Sequence, residues 1–200
     1  MATKVFNVSG GMYSGAAFSA FESRMYGSAV ASADSMKVTA GTGTNLSISA
    51  GDIIIANSSD FGYRAQLTSA TTVSTPAVPT VSGYSRYDAI VAYIDLSVTP
   101  DTSKVDNINA GILKFKSVSG TAGTNPTTAS ADNNIASSIG AANPYVVLAY
   151  VLVPANATAA TAFTITDNRK VAKVDLVIST TDIGEGAPLP TGTLYGVYEE

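Results

Sequence analysis

The chain has 200 residues, of which 46% are hydrophobic and 13% charged, with a formal net charge of −4 at pH 7. That length suits one domain able to bury a core without disulfides or metals, and the charged share is about half the usual one. Histidine and cysteine are absent, which excludes Ser-His-Asp and Cys-His catalysis, a disulfide scaffold, and nearly every catalytic zinc or non-haem iron centre.

Residues 1–11 read as an N-terminal arm ending in Gly10-Gly11. The arm has no apolar core of a signal peptide, so none is expected. Val5 and Phe6 are its candidate contacts with another copy or a partner. A helix is expected next. Ser14 is a candidate N-cap, Phe18, Phe21 and Met25 form one stripe, and Gly27 ends it. Ser19 and Glu22 also fit a capping box, which would start the helix later.

From Val38 the texture changes to short strands between turn residues. TNLSISAG alternates, DIIIA is a continuous apolar run, and YRAQLTSATTVST suggests one or two strands around a turn. TPAVPTVSGYS is a connection. RYDAIVAYIDL is a strand with a charge inside it, because Asp88 shares a face with Ile90 and Ile94. An unpaired carboxylate in a core is costly. GILKFKSV is the next strand, after the polar loop TPDTSKVDNINA. A calcium ion in that loop is weighed against a solvated turn, the commoner outcome.

The low-complexity stretch 119–144 is too long for a structureless loop. Asp132 as N-cap, Ile135 and Ile139 at i, i+4, and Gly140 as C-cap predict a short helix over 132–139. YVVLAYVLV is apolar on both faces, hence a central strand, and far shorter than the roughly twenty residues of a membrane helix. FTITD alternates, KVDLVIST is one more strand, and TLYGVYEE is strand-like after the Gly/Pro linker DIGEGAPLPTG. This order predicts a mainly β protein, an antiparallel β-sandwich or barrel with an N-terminal α-helix packed on it. The expected organisation is an arm at 1–11, the domain at 12–178, and a linker and strand-like tag at 179–200.

No acidic pair sits in a recognisable motif, and no phosphate-binding glycine loop precedes a helix. Catalytic residues, a cofactor and a resident metal are therefore not expected. Basic residues are few and scattered, so nucleic acid binding is not expected, and the short longest apolar run leaves membrane insertion unexpected. Ten tyrosines could line a glycan groove or an interface. Leu194, Tyr195, Val197 and Tyr198 in the tag are candidate oligomer or partner contacts, because a lone strand pairs only at an edge or with another chain.

The order MKVTAGTGTNLSISAGDIIIA, RYDAIVAYIDL, NAGILKFKSVSGTAG, and then NNIASSIGAANPYVVLAYVLVPANATAATAFTITDNR resembles a family of bacteriophage tail and baseplate structural proteins. The family occurs as the N-terminal module of tail fibres and receptor-binding assemblies. The matching positions are Arg86 and Asp88, Gly111, Leu113 and Lys114, Pro154 to Thr158, and Ile165, Asp167 and Arg169. Asn156 stands where the family has glycine, a mild change because Asn tolerates left-handed backbone. The resemblance implies a non-enzymatic virion protein, a tail or baseplate adaptor or fibre base, homo-oligomeric (often trimeric) and docked to other virion proteins. It carries over no catalytic residue. The chain ends soon after Arg169, which favours an adaptor over a receptor-binding fibre. The alternatives are a carbohydrate- or host-receptor-binding module at a tail tip or in an adhesin, and a head or neck fibre or decoration protein. For Asp88 the expected partner is Arg169, which also closes a core segment, with Arg86 as the rival two residues away.

Overall fold

The structure is a computed structural model that describes residues 23–58, 61–99, 112–172, 175–179 and 193–197. It is mainly β. The strands are β1 (Ala29–Val30), β2 (Val38–Ala40), β3 (Leu46–Ile48), β4 (Gly51–Ser58), β5 (Phe61–Leu67) and β6 (Thr71–Val73). They continue with β7 (Ser85–Ile94), β8 (Leu113–Ser119), β9 (Tyr145–Pro154), β10 (Thr164–Asp167), β11 (Asp175–Ser179) and β12 (Thr193–Val197). Helix α1 spans Ala129–Ile139.

The centre is a four-stranded antiparallel sheet in the order β10-β9-β7-β8. Both faces of β7 and β9 are covered, which is why RYDAIVAYI and YVVLAYVLV read as nearly continuous apolar runs. Ala89, Val91, Val118 and Val147 pack under α1, against Ala131, Ile135 and Ile139. Ile90, Ala92, Ile94, Val151 and Val153 join a second core with Leu46, Ile48, Ile53, Ile55 and Met36. That core is closed by two smaller antiparallel sheets, β1-β4-β5 and β2-β3-β6. Each large aliphatic side chain so buried contributes about 1.5–3 kcal/mol.

Strands β8 and β9 both run antiparallel to β7, so they are parallel to each other with β7 between them. Parallel strands need a long crossover, usually helical, and α1 supplies it. Its apolar residues recur every fourth position, as expected. Its start differs from the expectation. Thr128 takes the N-cap position, its carbonyl accepting from the Ala131 and Asp132 amides at 2.9 and 3.1 Å. Asp132 instead accepts a hydrogen bond from the Tyr150 hydroxyl at 2.8 Å, tying helix to sheet. Gly140 ends the helix with φ 96°. The last turn carries no basic residue of its own. Lys116 of β8 donates to the Ser138 carbonyl at 2.5 Å, and Asn143 donates to that of Ile139 at 2.6 Å. These bonds satisfy carbonyls that the helix leaves open.

The N-terminal helix expected from Ser14 lies outside the described residues except for its last turn, residues 23–26. Gly27 ends that turn at φ 62°, donating its amide to Ser23 at 3.0 Å. The helix packed on the sheet within the described residues is α1. The loop 101–109 weighed as a calcium site lies outside them.

Gly120, between β8 and α1, is a point of close approach. A Cβ there would meet the Tyr87 carbonyl at 2.8 Å and the Ser130 hydroxyl closer still. Gly120→Ala is expected to lower the unfolding free energy by about 1–3 kcal/mol, because the rigid helix start must shift. Denaturant unfolding of the variant against the parent measures this.

Candidate functional site

The residues that carried chemical potential in the sequence are placed by the four-stranded sheet and its connections. Asp88 is fully buried, and Arg86 is 8% exposed. The pair is bidentate, with Arg86 Nε on Asp88 Oδ1 at 2.7 Å and Nη2 on Oδ2 at 3.1 Å. Arg86 Nη1 also donates to the Ala77 carbonyl at 2.6 Å, and Nη2 to that of Pro76 at 3.0 Å. The guanidinium therefore fastens the β6–β7 connection to the sheet. Ser117 of β8 donates to Asp88 Oδ2 at 3.5 Å from the other side. Burial pushes the Asp88 carboxyl above the ordinary carboxylate value, while Arg86 and then Ser117 pull it down.

Arg169 is not the partner of Asp88, which corrects the expectation. Asp88 is in register with Val151, and Val151 with Ile165. Arg169 lies four residues beyond Ile165, roughly 13 Å along an extended chain. It pairs with Asp167, Nε to Oδ1 at 2.9 Å and Nη2 to Oδ2 at 2.7 Å, and donates to the Ser35 carbonyl. Arg86 wins because residues i and i+2 of one strand already share a face.

The closing ITDNR segment has a second task that the sequence did not reveal. A bulge in β9 leaves Leu148 without a partner on β7, since Ile90 faces Ala149 and Val91 faces Val147. The Asn168 amide donates to the Leu148 carbonyl at 2.9 Å, and its side chain to that of Val147 at 3.1 Å. Polar groups exposed by the bulge are satisfied there. Asn156 takes φ 58°, a left-handed backbone that asparagine tolerates, and its amide donates to the Pro79 carbonyl at 2.8 Å. Lys114 holds Asp95 Oδ2 at 2.6 Å, and the Ser97 hydroxyl donates to Oδ1 at 2.6 Å. Lys114 first, and then Ser97, hold the Asp95 carboxyl down at about 2.

Asp88, Asp95 and Asp167 thus each face a cation, whereas a glycosidase site needs two carboxylates facing one another across a cleft. Among the described residues no three acidic side chains gather in a way that could hold a metal. Among residues 23–172 with described side chains, Tyr84 and Tyr145 are the exposed tyrosines, 38% and 42% accessible. Tyr84 precedes β7, while Tyr145 lies opposite Tyr93 at its far end. About nine strand residues, roughly 30 Å, separate them, so they do not line one glycan groove.

Of the candidate contacts, Val5, Phe6 and Tyr198 lie outside the described residues. Leu194, Tyr195 and Val197 lie on β12, which pairs in parallel with β11.

Asp88→Ala and Arg86→Ala are each expected to lower stability by about 3–5 kcal/mol, because each strands a buried charge. Arg86→Met with Asp88→Leu is expected to lose less than either single change. A denaturation double-mutant cycle reads the coupling. Acid stability gives a second expectation. Asp95 has a folded value below its unfolded one near ~3.9, so it stabilises the fold above about pH 4 and that contribution vanishes as pH falls through about 2. Asp167, lowered by Arg169, acts in the same sense. Thermal melts from pH 5 to pH 2 are expected to fall less steeply for Asp95→Asn and Asp167→Asn than for the parent. Comparison of the chain with protein-family models, with curated proteins and with solved structures finds no match.

Proposed function

We propose that this chain is a non-enzymatic structural protein of a phage virion, a tail or baseplate adaptor or fibre base that oligomerises and docks other virion proteins. The observation that carries this reading is how the matching motif residues are used. Arg86 and Asp88 clamp the β6–β7 connection, Lys114 holds Asp95, Asn156 makes a left-handed turn, and Asp167 and Arg169 anchor the end of β10. Each is engaged in holding the scaffold, through an ion pair, a backbone carbonyl or a turn. A scaffold of this kind acts through its surfaces and its termini.

The low charged share and the absence of histidine and cysteine support the same reading. Its partners are further copies of itself and neighbouring virion proteins, and its location is the assembled particle. Mass spectrometry of purified particles is expected to find the chain in fixed stoichiometry. Light scattering of the purified protein is expected to give a mass of two or more chains. A stable monomer that is absent from particles overturns the proposal.

A further inference from the structure

Strands β11 and β12 form a two-stranded parallel ladder, in register from Asp175 with Thr193 to Ser179 with Val197. They pack on each other more than on any other element of the described residues. Three features make this ladder unusual. Parallel strands are normally joined by a helical crossover that covers one face, yet residues 180–192 contain Gly184, Gly186, Pro188, Pro190 and Gly192, a sequence of poor helix propensity. A two-stranded ribbon is also only marginally stable in water. Strands at open edges are commonly protected by charge. Here Asp175 is the one charged residue of the two strands; six of the other nine are Leu176, Val177, Ile178, Leu194, Tyr195 and Val197, beside Ser179, Thr193 and Gly196.

We propose that β12 is an exchange strand, and that the β11–β12 ladder of the assembled protein forms between copies, β12 of one chain pairing with β11 of the next. The occupant follows from the ladder itself. β12 matches β11 at all five register positions, and the same bonds form whether the two strands belong to one chain or to two. Exchange makes the five-position ladder itself the contact between copies. The inference rests on the reading of the chain as an oligomerising component, and it names the element that joins the copies.

The natural chain has no cysteine, which makes crosslinking selective. Val177 and Tyr195 are register partners, and neighbouring strands bring such partners to about 4.8 Å, within the range a disulfide spans. The full chain carrying Val177→Cys and Tyr195→Cys is oxidised at low concentration and run without reductant. Exchange predicts bands at multiples of 20.3 kDa that collapse to one on reduction. It also predicts linked dimers when the two single variants are produced together. Linkage confined within one chain, with no shift in mass, overturns the exchange. Leu176→Cys with Leu194→Cys, the adjoining register pair, repeats the test should the first pair fail to fold. Absence of linkage at both pairs overturns it too. An oligomer present in particles whose links are all internal sinks the exchange and leaves the virion reading standing. A monomer absent from particles sinks that reading.

Discussion

Burial of β7 and β9 on both faces is the constraint from which most of this structure follows. A sheet covered on one side only could alternate apolar and polar residues. Here α1 covers one side and the two three-stranded sheets the other. Every position of the central pair must then be apolar, small or satisfied by a partner. The covering layers are in turn fixed by it. Ile135 and Ile139 have somewhere to go because Val91, Val118 and Val147 face them, and Ile53 and Ile55 because Ile90 and Val151 do.

The same constraint explains the polar residues. Asp88 sits where water cannot reach, so it survives there only with Arg86 along two hydrogen bonds and Ser117 near by. Arg86 uses its remaining donors on the Pro76 and Ala77 carbonyls, which converts a local ion pair into a long-range tie. Asn168 does comparable work at the β9 bulge, and Lys116 at the end of α1. These groups resemble active-site chemistry in composition. Arg86 and Asp88 are buried and bond each other, while the exposed Lys116 and Asn168 side chains bond backbone carbonyls.

Much of the fold was legible locally. The continuous apolar run YVVLAYVLV gave β9 as a central strand and RYDAIVAYIDL gave β7 as a strand, because period and length are properties of the segment alone. Gly27 and Gly140 end their helical segments at positive φ, and Asn156 adopts the left-handed backbone that asparagine tolerates. Ile135 and Ile139 gave the buried face of α1. The errors have one kind of cause. Asp132 looked like a cap, yet the helix begins a turn earlier and the carboxylate turns to Tyr150, a partner 18 positions away. Arg169 looked like the partner of Asp88, yet strand register carries it past, toward Asp167 and Ser35.

The sequence by itself determined most of the strands and their order, the buried face of α1, and the exclusion of histidine and cysteine chemistry. Those follow from side-chain type, spacing and backbone preference, which act over a few residues. Tertiary structure decided which charge meets which, where the bulge in β9 is stapled, that β8 and β9 flank β7 with α1 as their crossover, and that β11 and β12 pair in parallel. Those depend on register and on contacts between segments far apart in the chain. A shift of one residue in a ladder reverses the faces, and in β9, apolar on both faces, the local pattern does not fix that register.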